Sequence, residues 1–325
     1  LQGLNLKRDV RSNHSQDRPF IVYPVLVLGI ASFAFSPILV RFASDAPGLA
    51  IAVWRTTLTV LFLAPFALPR IGGDLKRLSR RDYVLVGLAG VTLGLHFVTW
   101  IESLYHTSVA SASVLVTMSP LFLAVLGFLF LKERLRLKEV VSIGIAVAGA
   151  TLIGIGDASD QAFGGALFGN ALALLAALFV SVYMLIGRVV RQNVSFLAYV
   201  FPLYTASAVT ILLMALVRGV PLFSYGPEFY GLCALMALGP QIFGHGSINF
   251  ALRFFNAALL GLFTLFEPVG ASFMAYAFFG EAPTVITLAG TLLVLAAITF
   301  TVLPIRRARP VSAEAASEEV AQRPT

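Results

Sequence analysis

Charge is scarce in this chain. Acidic and basic residues together form 12% of its 325 residues, about half of what a soluble globular domain carries, and no polar stretch is long enough to fold as a soluble domain. Cysteine is limited to Cys233, which excludes an intrachain disulfide and a cysteine metal cluster. The four histidines form no HExxH pair, and no glycine-rich loop ends in Gly-Lys. Neither a zinc hydrolase of that type nor a nucleotide-hydrolysing pump is supported. An intramembrane hydrolase built on Ser119 or His245 would need a nucleophile and a base in mutual reach, and a channel would want symmetric rings or a filter; the sequence displays neither. No cofactor, metal or nucleic-acid partner is expected.

What fills the chain instead is apolar. Hydrophobic residues make up 58% and mean hydropathy is +0.88, a composition suited to a lipid bilayer. A helix needs about 20 apolar residues to cross the hydrocarbon core, so ten crossings consume roughly 200 residues and leave only short connections. Apolar runs lie near 20–41, 49–69, 82–104, 109–131, 138–155, 166–188, 196–217, 228–250, 256–280 and 284–304. Helix is expected throughout, because an open sheet edge leaves its backbone groups unsatisfied in lipid. The breaks are marked by Asp45-Ala46-Pro47-Gly48, a Gly72-Gly73-Asp74 turn, Gly156 to Asp160, Gly219-Val220-Pro221 and Gly280-Glu281-Ala282-Pro283. Residues 1–19 and 305–325 read as polar tails, the first without a signal-peptide pattern.

Orientation follows from lysine and arginine, which cluster in cytoplasmic loops. With ten spans, one side receives Arg70, Lys76, Arg77, Arg80 and Arg81, then Lys132, Arg134, Arg136 and Lys138, then Arg188, Arg191 and Arg253, together with the basic residues of both tails. The other receives Arg41 and Arg218. Both termini are expected in the cytoplasm of a cell whose inner, or plasma, membrane holds the protein. The net charge of +7 is then a topology signal.

A pattern also recurs. Pro120 and Glu133 are answered, 148 residues later, by Pro268 and Glu281, and at the same displacement Leu104, Ala110 and Phe130 are answered by Leu252, Ala258 and Phe278. Two repeats of five spans are expected, residues 20–155 and 156–304. Five is odd, so the second repeat enters the membrane the opposite way up. The charges agree, since Glu133 stands in a basic loop and Glu281 in one without basic residues. Inverted repeats with a site near the midplane are typical of secondary transporters.

The stretch from Thr107 through Ser119-Pro120-Leu121-Phe122 to Phe130-Leu131-Lys132-Glu133-Arg134, paired with Phe255-Asn256-Ala257-Ala258 through Glu267-Pro268 to Gly280-Glu281, resembles the two repeats of the drug/metabolite transporter superfamily, EamA type. The resemblance covers about residues 20–304. It implies an all-α, ten-helix carrier of the inner membrane with inverted five-helix repeats, in many members an exporter of amino acids or other small metabolites. The second repeat departs from the pattern in lacking a basic residue after its Glu; Ala282-Pro283 stands there, which suits an outer loop.

Polar groups inside spans mark candidate contacts, because each is costly unless it faces protein or water. Gln241, His245 and Asn249 recur every four residues and are expected on one helix face, lining a cavity or bonding between helices. His96 and Trp100 form an i, i+4 pair in the third span, and a 148-residue shift carries His96 to within one residue of His245. Histidine titrates near neutral pH, so His96 and His245 are candidates for proton coupling, and Trp100 could stack on a ring or cation or belong to the membrane interface. Glu267, halfway along the ninth span, has three readings: a proton or substrate-amine site, an ion pair with Arg55, or a protonated carboxyl bonded to backbone freed by Pro268. Ser119 is its counterpart, and Thr117, Ser119 and Pro120 would form the matching wall, with Pro120 and Pro268 as kinks. Arg55 is expected to snorkel to the outer surface, with binding of a substrate carboxylate as the second reading, Glu102 to be solvated, and Tyr183, Tyr199 and Tyr204 to pack between helices or at the interface. The whole reads as a secondary carrier working by alternating access on a small polar or zwitterionic metabolite, amino acids first, in the direction of export. Efflux of hydrophobic or cationic drugs is the alternative, and an intramembrane enzyme ranks third. A single chain is expected to suffice, and an oligomer is compatible.

Overall fold

A computed structural model describes residues 19–76, 78–107, 109–132, 137–158, 166–280 and 284–302. Among them every regular element is helical. In chain order these are α1 (Val22–Phe42), α2 (Gly48–Leu75), α3 (Arg80–His106), α4 (Val109–Val116), α5 (Ser119–Leu126), α6 (Leu137–Ala158), α7 (Ala166–Val190), α8 (Phe196–Val217), α9 (Pro227–Met236), α10 (Gly246–Ala251), α11 (Ala257–Thr264), α12 (Phe266–Phe279) and α13 (Val285–Val302). Two stretches are π-helical: Gly127–Leu131 continues α5, and Ala237–His245 joins α9 to α10. Seven stretches among the described residues are long and apolar enough to cross a membrane: α1, α2, α3, Ala112–Leu131, Leu167–Val190, α8 and Ala257–Phe279. Large apolar side chains such as Leu61, Phe66, Leu213, Val217 and Phe273 stand on the outside, where lipid would meet them.

The helix boundaries recur at the interval seen in the sequence. Val109–Val116 and Ala257–Thr264 correspond at both ends over 148 residues, α2 and α8 begin at Gly48 and Phe196, and α6 and α13 begin at Leu137 and Val285. Even the exits match: Lys132 and Gly280, equivalent by the same shift, both adopt left-handed backbone, with φ 55° and 70°. Contacts follow the same exchange. α2 packs on α8 and α6 on α13, each pairing equivalent elements, while α3 lies on α7 as α1 lies on the α9 to α10 rod. The acidic residues after these exits, Glu133 and Glu281, lie outside the described residues.

Close approach is made with small residues, as expected where lipid leaves packing as the main source of helix association. A Cβ at Gly90 of α3 would stand 2.5 Å from the Ala206 Cβ and 2.6 Å from the Leu203 carbonyl oxygen of α8. Gly149 of α6 similarly faces the Gly290 carbonyl of α13 at 2.7 Å. Threonine hydroxyls turn back onto their own helices, Thr59 to the Arg55 carbonyl and Thr99 to the Leu95 carbonyl, which satisfies them without water.

One expected break is absent. Gly72-Gly73-Asp74 does not turn; α2 runs on to Leu75, and the Ser195 hydroxyl donates to the Asp74 carboxylate at 2.5 Å, tying this end to the start of α8. α3 starts after Ser79, where Ser79 and Asp82 form a capping box.

Candidate functional site

Midway along the bundle the helices stop being regular. Pro120 has no N–H and its ring displaces the carbonyl four residues back, so α4 gives way to α5 across Thr117 and Met118. Pro268 sits just past the equivalent break between α11 and α12. Pro240 lies within the π-helical stretch Ala237–His245, where hydrogen bonds run five residues back rather than four. A cavity of about 50 Å³ opens among these three interruptions, α1, α2, α3 and α7. It has room for a few waters and is far smaller than a typical ligand pocket.

Its walls are amphoteric. α3 supplies His96, Phe97 and Trp100; the α4 to α5 break supplies Thr117 and Ser119; the π-helical stretch ends on His245; and Glu267 stands at the start of α12. His245 is enclosed by aromatic rings, with Phe33 and Phe97 edge-on at centroid distances of 4.9 and 5.1 Å and His96 at 5.8 Å. Its Nδ1 lies 3.2 Å from the Tyr183 hydroxyl. His96 Nδ1 faces the Ala176 carbonyl at 3.0 Å. A carbonyl only accepts, so this nitrogen carries the proton and Nε2 of the neutral ring is left as an acceptor. Ser119 is pinned by its own backbone, its carbonyl accepting from the Ser181 hydroxyl of α7 at 3.1 Å.

Six of the eight candidate contacts therefore meet at one place: His96, Trp100, Thr117, Ser119, His245 and Glu267. Gln241 and Asn249 do not. The expected face of Gln241, His245 and Asn249 assumed α-helical spacing, which the π-helical stretch breaks between Gln241 and His245, whereas Asn249 lies in the regular α10 that follows. Gln241 turns to α2, where its Oε1 accepts from Arg55 Nε at 3.1 Å, while Asn249 turns to α8, donating to the Tyr204 hydroxyl at 3.4 Å. Both are fully buried.

Arg55 is the residue that sequence reasoning misplaced. Rather than snorkelling, it is 1% exposed and lines the cavity, its guanidinium carbon 4.5 Å from the centre of the Phe97 ring. A buried cation is costly unless it is paired or hydrogen-bonded, so its presence inside calls for compensation. The signal was in the sequence, a charge within an apolar run, but its partner Gln241 lies 186 residues away. Glu267 shares the cavity with Arg55, yet the two do not close into an ion pair among the described residues. Trp100 is buried rather than interfacial, and Tyr183, Tyr199 and Tyr204 are buried between helices. Glu102 is partly exposed, 3.3 Å from His106.

The mouse (Mus musculus) protein named solute carrier family 35 member G1 is 25% identical over 84% of this chain and 76% of its own length. An uncharacterized transporter, YdfC of Bacillus subtilis, is 25% identical over 62% of this chain and 64% of its own. The pseudopaline exporter CntI of Pseudomonas aeruginosa is 33% identical over 40% of this chain and 45% of its own. A solved crystal structure superposes with a TM-score of 0.73 over 89% of this chain and 99% of the other, at 18% identity, which establishes a shared fold. The EamA-like transporter family matches twice in tandem, over residues 21–155 and 167–303. This chain belongs to the EamA-like transporter family, within the drug/metabolite transporter superfamily.

Proposed function

We propose that this transporter is a secondary carrier that exports amino acids or similar small polar metabolites by alternating access across the inner, or plasma, membrane. The observation that carries the reading is the convergence of polar side chains from both halves on one buried cavity. His96, Trp100, Thr117 and Ser119 come from the first, and His245 and Glu267 from the second. A cavity for purely hydrophobic cargo would need no such set, because each buried polar group costs free energy unless something bonds to it. His96, His245 and Glu267 are the groups through which proton coupling would run.

The architecture proposed is ten spans in two inverted repeats with both termini cytoplasmic. It counts the α4 to α5, α9 to α10 and α11 to α12 pairs as single interrupted spans. The recurrence of helix boundaries and the exchange-related contacts support it. The cavity lies where the repeats meet, so rocking one half against the other would open it to each side in turn. Its small volume suits a state closed over the site. Export as the direction is taken over from one relative, whose name makes it an exporter of pseudopaline.

Counterflow of labelled amino acids in proteoliposomes of the purified protein, with and without a pH gradient, tests the reading. Exchange is expected for some of the panel, with accumulation driven by the gradient if protons are coupled. His245→Ala is expected to lower the exchange at least about tenfold, since it removes a polar group enclosed in the site. Exchange of hydrophobic cations alone would move the assignment to drug efflux.

A further inference from the structure

Arg55 and Arg191 are both buried, at 1% and 2% exposure, and both lie against an aromatic ring. Arg191 spends its donors on the fold: Nε donates to the Asn249 carbonyl at 3.0 Å and Nη1 to the Val194 carbonyl. Arg55 gives the fold only Nε, which donates to Gln241 Oε1. Its Nη1 is buried and has no hydrogen-bond partner among the described residues, and its side chain lines the cavity. Gln241 on one edge and the Phe97 ring under the face fix the plane of the guanidinium, so the remaining donors are held as a rigid fork. Such a fork matches the two oxygens of a carboxylate. Glu267 lies in the same cavity without an ion pair to Arg55.

We propose that Arg55 is the anchor for a substrate carboxylate, so that the cavity selects cargo bearing a carboxylate at one end, with the amine of a zwitterion directed to Glu267. This rests on the carrier reading above and names its substrate class. Gln241, outside the cavity, is then a positioning residue that aims the fork.

The test is counterflow by the full chain in proteoliposomes with matched probes: labelled alanine, phenylalanine and histidine against ethylamine, phenethylamine and histamine, which lack only the carboxylate. The wild type is expected to exchange the acids in preference to the amines. Arg55→Gln should raise KM for the acids by roughly 10- to 100-fold, the range for a hydrogen bond to a charged group, and change amine handling little. Gln241→Leu should raise KM for the acids by a smaller factor with kcat retained. Arg55→Lys keeps the charge and loses the fork, so it also raises KM for the acids, and it carries the test if Arg55→Gln does not fold. An unchanged KM for the acids in folded Arg55→Gln or Arg55→Lys overturns the proposal. Exchange of the amines in preference to the acids by the wild type also overturns it and leaves the carrier standing. Absence of exchange for every probe by folded wild type sinks the amino-acid carrier reading, and the anchor with it.

Discussion

Two buried arginines differ in where their N–H groups go, and that difference separates packing from binding at the level of single residues. Asn249 belongs with packing. It makes one long hydrogen bond, 3.4 Å to the Tyr204 hydroxyl, and its Oδ1 is buried without a partner among the described residues. The Tyr204 hydroxyl keeps its own bond to the Gln241 carbonyl at 3.2 Å, so replacing Asn249 strands no buried donor and removes one that was only half satisfied. Asn249→Leu is therefore expected to leave unfolding within about 1 kcal/mol of wild type and KM for transported amino acids within roughly twofold. Thermal unfolding in detergent and counterflow read the two. A large rise in KM without unfolding would put Asn249 back in the substrate path.

Helix interruptions decide which polar groups face inward. Prolines produce them in the fourth and ninth apolar runs, and a π-helical stretch produces one in the eighth. Between the interruptions, close packing leaves little tolerance. Gly90→Ala places a methyl 2.6 Å from a backbone oxygen of α8, which a flexible side chain cannot relieve, so destabilisation of about 1–3 kcal/mol is expected by thermal unfolding. The opposite sign is expected at Lys132. Its left-handed backbone at φ 55° costs a non-glycine residue roughly 1–2 kcal/mol, and the equivalent position carries Gly280. Lys132→Gly should stabilise by up to about 1 kcal/mol, and a lower melting temperature would show that the lysine side chain contributes something else there.

For the whole molecule, the two halves share boundaries and exchange contacts, and the inverted arrangement proposed for them makes a prediction about sides. The chain has a single cysteine, Cys233, which is buried, so Cys233→Ser provides a background for accessibility mapping. In that background Lys132→Cys is expected to react with a membrane-impermeant thiol reagent from the cytoplasmic side and Thr284→Cys from the outer side. Labelling of both from one side would refute the five-plus-five inverted geometry.

Composition alone determined that this chain lives in lipid as helices, because 58% hydrophobic residues cannot be covered by 12% charge. The repeat was legible from Pro120, Pro268 and their neighbours, since breaks and exits need particular residues wherever the chain turns. That six of the candidate residues line one cavity follows a related rule: a polar side chain in an apolar run must face protein or water, so its presence points inward. Which way it points inside was not legible. That depended on the change from α to π spacing at Ala237–His245, which sends Gln241 away from His245, and on contacts across long separations, such as Arg55 with Gln241 and Asn249 with Tyr204. Periodicity along one helix cannot encode either, because the direction of a buried side chain is set by the neighbours that tertiary packing brings to it.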